Sequence, residues 1–392
     1  MILYIDPGTG GVIINFLIAI VTSIIYLFRK LFFKRVNFDL IKKSEISIFS
    51  EGNQYKNTFL PIVNELIERK IRFNYYTLDY EDHILELESE FINSKFLGLG
   101  FLGKLKFSSI SSNLLISTTP NIGNKGFPLK RPRKVRELIH VWHSISDISY
   151  YKKGSLDNYD TILTIGDFQN KSIKDIEKIR KLKSKKLIPV GLPYLDVFYE
   201  NLKKLKNDKE YILIASSWGE KGLLNKYGYK ILEYLKNNFL IIRPHPQSFI
   251  SEIEFINKFK EECLRYPNIV WDDSPDPLIS FSKSKLLISD TSSIRYDYSF
   301  LTGKPVITLK INKSDLKDFE INDLSSSWDE KNEFKLGKII TENNLDSLKV
   351  EVEAISNNSL FFEKIIEFKN NTIFSEIKST VNIVNYLISQ NR

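Results

Sequence analysis

The sequence predicts an α/β protein with two successive parallel-sheet domains facing a cleft, preceded by a membrane-crossing helix. Three observations predict it. From Glu45 onward, short apolar runs alternate with amphipathic stretches at the spacing of strand–helix units. The polar stretch Asn201–Glu210, NLKKLKNDKE, separates one such series from a second. Ahead of both, residues 11–28, GVIINFLIAIVTSIIYLF, contain no charge.

The composition agrees. A chain of 392 residues with 42% apolar and 13% aromatic side chains is long enough for two or three packed domains and excludes a disordered protein. The single cysteine, Cys263, excludes an intrachain disulfide and a cysteine-based metal site, and reads as a small buried apolar residue. A net charge of +8 fits nucleic acid, an anionic membrane or anionic substrates. The charge is dispersed, apart from Lys130–Arg136 and the flank of the apolar segment, and no strand interleaves basic with aromatic residues. Nucleic acid is therefore not the expected partner.

Taken in order, the apolar segment comes first. Extended to Phe33 across Arg29-Lys30, it supplies about 20 helical residues, enough to cross a bilayer. A cleaved signal peptide would carry its basic residues ahead of the apolar core. Here Arg29, Lys30, Lys34 and Arg35 follow it, and no small-residue cleavage site is present. The positive-inside rule then leaves MILYIDPGTG outside and puts the remainder of the chain in the cytoplasm, on the inner face of the membrane. A re-entrant or surface-lying helix is the alternative. The expected organisation is an anchor over 1–36, a first Rossmann-like domain over 37–205 and a second over 206–392.

In the first domain, Ile46–Phe49 reads as a strand and residues 58–70 as a helix burying Phe59, Ile62, Val63, Leu66 and Ile67. Further strands are expected at Phe73–Leu78, Leu114–Ser117, Leu138–Trp142, Thr161–Ile165 and Leu187–Val190. The second series has them at Tyr211–Ala215, Phe239–Ile242, Asn268–Trp271, Leu286–Ile288 and Pro305–Leu309. Residues 375–389 form a closing helix with Ile377, Val381, Ile383, Val384 and Leu387 inward. Ligands of such sheets sit outside the carboxyl ends of the strands, so the residues just past each strand matter most.

Three strand ends carry chemistry. After Leu286–Ile288 come Asp290, Thr291, Ser292 and Ser293, a hydroxyl-rich turn opening a short helix with Ile294, Tyr298 and Leu301 on one face. Such a helix start presents backbone N–H groups and a positive dipole end to an anion, and its hydroxyls equally serve to cap the helix. His143 follows the strand Leu138–Trp142, and Arg243-Pro244-His245-Pro246 follows Phe239–Ile242. The two prolines stiffen the turn and remove two N–H groups, while arginine suits phosphate oxygens and histidine moves protons near neutral pH. His83 and His140 lack this setting and read as structural. Gly98, Gly100 and Gly103 match GxGxxG, but no acidic residue stands between Glu90 and Glu137 to take a ribose, so the glycines read as a loop. Asp272, Asp273 and Asp276 read as loop and cap residues, with no metal expected.

These elements together resemble the bacterial CDP-glycerol glycerophosphotransferases of teichoic-acid synthesis, a GT-B family. The resemblance runs from about Leu114 to Leu309 in the family's order. Val141-Trp142-His143 resembles WHG, Gly191–Asp196 resembles GxPRxD, and Ile212–Trp218 resembles a strand ending in PTW. Arg243–Pro246 reproduces RPHP, and Ser289–Ser293 with Asp297 and Lys304–Ile307 resembles SDYSS…D…KPVI. The chain departs at Ser144 for glycine, Tyr194 for arginine, Ser216 and Ser217 for proline and threonine, and Thr291 for tyrosine. These departures bear on the transferred group more than on the fold.

The resemblance implies a GT-B fold and transfer of an alditol phosphate from a CDP-glycerol-like donor to a hydroxyl of an envelope polymer or lipid-linked acceptor, releasing CMP without a cofactor. It implies that His143 and His245 are catalytic. It places Arg243, Ser292 and Ser293 at the donor diphosphate, with Asp290, Thr291, Asp297 and Ser217 on the same substrate-binding side. Spacing does not assign the base to either histidine. A nucleotide-sugar glycosyltransferase or UDP-sugar epimerase would use the same strand-end groups, and a membrane-anchored scaffold with a decayed site is the non-enzymatic alternative.

Overall fold

The computed structural model describes residues 44–206, 210–310, 318–324, 326–356, 360–374 and 378–390. The expected anchor over 1–36 lies outside the described residues. Among the described residues no helix is long and apolar enough to cross a membrane.

The chain forms two fully parallel sheets. The first contains β1 (Ser44–Ser50), β2 (Phe73–Thr77), β3 (Ile92–Phe96), β4 (Ser111–Ser117), β5 (Lys134–Val141), β6 (Thr161–Thr164) and β7 (Lys186–Pro189), in spatial order 3-2-1-4-5-6-7. Its helices are α1 (Lys56–Glu68), α2 (Gly100–Ser108), α3 (Asp167–Arg180) and α4 (Pro193–Leu202). The second sheet contains β8 (Tyr211–Ala215), β9 (Leu240–Arg243), β10 (Ile269–Trp271), β11 (Ser284–Ser289), β12 (Val306–Lys310) and β13 (Gly337–Thr341), in order 10-9-8-11-12-13. Helices α5 (Leu223–Leu235), α6 (Ser248–Ser251), α7 (Ile253–Cys263), α8 (Leu278–Lys283) and α9 (Ile294–Thr302) accompany it. In both sheets the strand order reverses between the first and fourth strands, the switch point that opens a crevice at the carboxyl ends.

The strands form where the sequence is apolar on both faces. Ile46 and Ile48 of β1 pack with Leu114, Ile116 and Ile139 on one side, while Phe49 faces the other with Leu115 and Leu138. This double burial is what a helix-covered parallel sheet requires. The second sheet repeats it with Ile212, Ile214, Leu286, Ile288 and Ile307 on one side and Leu213, Ile241 and Leu287 on the other. Cys263 is fully buried in that core.

Two strands are additional to those expected, β3 and β13, and both are sheet edges. The glycines of GxGxxG form the turn from β3 into α2: Gly98 precedes the helix, whereas Gly100 and Gly103 lie in its first turn. The closing helix α14 is Ser379–Ser389, after α10 (Ile321–Leu324), α11 (Trp328–Asn332), α12 (Leu348–Ser356) and α13 (Leu360–Asn370). It packs on the first sheet instead of the domain it follows, burying Ile383, Val384 and Leu387 beside Ile46 and Leu114. Ile377 lies outside the described residues.

Several contacts fix the domains against each other. The Trp328 N–H donates to Asp147 Oδ2 at 2.7 Å, Gly154 N–H to Glu320 Oε1 at 2.9 Å, and Trp328 stacks on Phe168 at 4.1 Å. The Tyr194 hydroxyl donates to Asp297 Oδ1 at 2.5 Å.

Candidate active site

The carboxyl ends of both sheets converge on one pocket of about 250 Å³. The first domain contributes Gln54, Asn57 and Thr58 from the β1–α1 region, His143 from the end of β5, and Tyr194 and Phe198 from α4. The second contributes Ser216 after β8, Arg243–Pro246 after β9, Pro275 and Pro277, and Ser292, Ser293, Ile294 and Asp297 at the start of α9. Six of the nine residues named from the sequence therefore share one pocket: His143, Arg243, His245, Ser292, Ser293 and Asp297. Asp290, Thr291 and Ser217 do not line it.

The two histidines differ in their hydrogen bonding. His143 packs edge-on against Tyr55 at 5.1 Å between ring centres, and its Nδ1 is buried without a partner. Burial lowers its pKa to about 4, so it is an uncharged imidazole at neutral pH. His245 Nδ1 accepts the Gln247 backbone N–H at 3.1 Å. In the neutral ring that acceptor role fixes the proton on Nε2, so His245 has a donor to offer a ligand. Burial lowers the His245 pKa too, partly offset by the Asp290 and Glu252 carboxylates.

Arg243 forms part of the wall, and its guanidinium is engaged. Nη1 meets Asp272 Oδ2 at 2.6 Å and Ser274 Oγ at 3.2 Å, and Nη2 donates to the Ser274 carbonyl at 2.7 Å. Burial pushes the Asp272 carboxyl up, but hydrogen bonds from Ser274 and Ser280 with the Arg243 charge outweigh it and hold it below the usual range. In this arrangement Arg243 ties the 272–277 loop to β9. The same contacts occupy the acidic cluster: Asp276 Oδ1 accepts Leu278 N–H at the start of α8, and Asp273 pairs with Lys260.

Asp290 is buried and accepts from Ser217 N–H and Oγ, Leu223 N–H and Ser292 N–H. It fastens the β8–α5 connection to the β11–α9 turn and so sets where α9 begins. Ser217 acts as its partner. Thr291 is half-buried in the same turn. Among the described residues Ser293 Oγ has no hydrogen-bond partner, and Ser292 Oγ accepts only a long bond of 3.5 Å from Ile294 N–H. Those two hydroxyls and the α9 N-terminus form the anion-receptive face of the pocket. Asp297, one turn into α9, has its pKa raised to about 7 by burial, with the Tyr194 hydrogen bond working the other way.

The sequence reading missed Gln54, Asn57, Thr58 and Ser216, although Glu51–Gln54 and Ser216 are also polar residues just past apolar strands. It also gave His83 a structural default. That side chain is exposed and hydrogen-bonded through Nδ1 to Asn53 Oδ1 at 3.1 Å. It lines a second pocket of about 430 Å³ that shares Gln54, Asn57, Arg243, Pro244 and Pro246 with the first. His140, by contrast, is fully buried beside Trp142 and Tyr159, with neither ring nitrogen partnered.

No family model matches the chain, and no curated protein matches it. Solved structures do. The wall teichoic acid polymerase TagF superposes with a TM-score of 0.57 at 14% identity, covering 88% of this chain and 88% of that one. The UDP-GlcNAc 2-epimerase of Methanocaldococcus jannaschii, in complex with UDP-GlcNAc and UDP, gives 0.55 at 15% identity over 89% of this chain and 100% of that one. A glycosyltransferase from Rickettsia africae gives 0.51 at 13% identity over 89% and 98%. The likeness establishes the two-domain GT-B fold that the resemblance implied.

Proposed function

We propose that this chain transfers an alditol phosphate from a CDP-linked donor, CDP-glycerol or a related CDP-alcohol, to a hydroxyl of a cell-envelope acceptor and releases CMP. The observation that carries the reading is the meeting of His143 and His245, one from each domain, in a pocket that the Ser292-Ser293 start of α9 also lines. The ordered motifs and a fold shared with a teichoic acid polymerase support it.

The acceptor hydroxyl attacks the β-phosphorus, the bond from that phosphorus to the CMP oxygen breaks, and the hydroxyl proton passes to a base. His143 suits the base because burial leaves its ring uncharged and free to accept a proton at neutral pH, although the same burial weakens its basicity. His245 suits the opposite role. With its Nδ1 committed to Gln247, its Nε2–H is a hydrogen-bond donor to the phosphoryl group or the departing phosphate. The α9 N-terminus with Ser292 and Ser293 stabilises the diphosphate charge, while Arg243 and Asp290 hold the loops that shape the site. The segment over 11–28 would tether the domains to the inner face of the membrane, near a lipid-linked acceptor.

Incubation with CDP-glycerol and, separately, UDP-GlcNAc, with envelope acceptor present, tests the reading through the nucleotide released. CMP release that is lost in both His143→Ala and His245→Ala supports it. UDP release or epimerised UDP-GlcNAc without any CMP overturns it.

A further inference from the structure

The two histidines of the pocket are held in different ways. His245 has its Nδ1 fixed by the Gln247 N–H at 3.1 Å, and the His143 ring has no such tie. Its Nδ1 is buried, and among the described residues it has no hydrogen-bond partner. What touches the ring is Tyr55, whose centroid lies 5.1 Å from the imidazole centroid with the two planes 68° apart. Edge-to-face contact at that separation is a preferred arrangement of two rings, and it restrains the rotation of both.

Tyr55 is itself well anchored. It closes the short turn Asn53–Tyr55 and directly precedes α1. Its backbone N–H donates to the Gly52 carbonyl at 3.1 Å, and Asn53 N–H donates to Asp79 Oδ2 at 3.0 Å, which fastens the turn to the segment after β2. The Tyr55 ring is half-buried and packs against the core that holds Phe59 and Val141. It does not line the pocket, whereas its sequence neighbours Gln54 and Asn57 do. Glu51 and Tyr151 are the ionisable groups beside it, and His140 stands near His143 on β5. The second domain brings Arg243, His245 and Asp297 to the same pocket.

We infer that Tyr55 is the positioning residue of His143: its ring sets the imidazole plane and covers one side of it, leaving the other side to the pocket. The inference rests on the reading of His143 as the base. Proton transfer from an acceptor hydroxyl needs the accepting nitrogen at a fixed distance and angle, and misplacement by about 1 Å costs on the order of 10² in rate. A ring without a polar tie must take that orientation from packing, and Tyr55 supplies it. The same contact keeps water from the imidazole, in keeping with the burial that lowers the His143 pKa to about 4. Losing the tyrosine ring would free the imidazole to turn and let it charge more easily. The ring does this, and the hydroxyl is dispensable.

The test uses the full chain with its four histidines labelled by carbon-13 at Cε1 and titrated by NMR. His143→Gln and His245→Gln identify the two signals of interest. Tyr55→Phe keeps the ring and should hold the His143 midpoint at about 4 with most of kcat retained. Tyr55→Leu should raise that midpoint by about one pH unit or more, toward the ordinary histidine value of about 6.5, and leave the His245 midpoint in place. It should also lower kcat by about 10²-fold with the donor KM unchanged. Tyr55→Met replaces the leucine variant where thermal melts show that variant to be unfolded. An unmoved His143 midpoint in the Leu or Met variant overturns the inference. So does a Phe variant that behaves like Leu, because the hydroxyl is then the active part, or an equal shift at His143 and His245. The titration needs no turnover, so absence of CMP release in the unaltered chain counts against the proposed function and leaves this contact to be judged by the midpoints alone.

Discussion

The Tyr194 hydroxyl donates to Asp297 Oδ1 at 2.5 Å, joining the helix that leaves the first sheet to the helix whose start forms the anion-receptive face of the pocket. Tyr194 stands where the motif that the segment resembles has arginine, so the donor facing Asp297 here carries no charge of its own. Burial raises Asp297 to about 7, and the tyrosine bond lowers it. Tyr194→Phe should therefore raise the Asp297 pKa further and destabilise the protein above that pH by about 1.5–3 kcal/mol, the range for a hydrogen bond to a charged group. Tyr194→Arg should move the pKa down. Carboxyl titration by NMR and thermal melts at pH 6 and 8 measure both.

Their different hydrogen bonding separates the two histidines. If His143 is the base as proposed, His143→Gln should lower kcat/KM by about 10²–10⁴ with no recovery from the amide. His245→Ala removes a donor at developing charge, a loss of about 10²–10³, and His245→Gln should recover part of it through its N–H. In the unaltered protein the acid limb of kcat/KM should lie well below pH 6.5, toward the His143 value of about 4. Equal losses in both glutamine variants, or an acid limb at an ordinary histidine pKa, would contradict this division of labour.

Much of this site was legible because central parallel strands are apolar on both faces. Such strands announce their ends to within a residue or two, and the groups just past those ends define the crevice. The edge strands were not legible for the converse reason: β3, INSKF, is partly or wholly exposed along its length, so its apolar signal is weak. Long-range pairings were hidden as well. The turn from Asp290 to Ser292 N–H is local and readable, whereas its bonds to Ser217 and Leu223 depend on β8 lying beside β11. Arg243 carried the phosphate-binding chemistry that the sequence suggested, but its partner Asp272 is 29 residues away and becomes visible only when β10 pairs with β9.

The Arg243–Asp272 pair gives a third prediction. Their side chains are 8% and 12% exposed, so removing one carboxylate leaves a cation nearly buried. Asp272→Ala should cost about 3 kcal/mol or more and raise the KM for the donor, because the 272–277 loop loses its tie to β9. Pairing it with Arg243→Met should restore part of the stability without restoring KM. Denaturant melts and initial-rate kinetics on the single and double variants measure the two effects separately.

His140 gives a prediction about acid stability. It is completely buried, packs edge-on against Trp142 and Tyr159, and offers two ring nitrogens without partners. Burial, with some help from the His143 charge, lowers its pKa to about 3. An unfolded histidine titrates near 6.5, so below that pH the unfolded chain takes up a proton that the folded chain refuses until about pH 3. Stability is therefore lost as pH falls through this window, with a slope approaching about 1.4 kcal/mol per pH unit for this one residue. Carboxyls raised by burial, among them Asp297 and Glu320, work in the opposite direction, since the folded chain holds their protons more tightly. The measurable quantity is thus the difference between the unaltered protein and His140→Phe, which keeps an aromatic ring against Trp142. Melting temperatures from pH 7.5 down to 4.5 should fall less steeply in the variant, and parallel curves would show that the buried imidazole is not the acid-sensitive element.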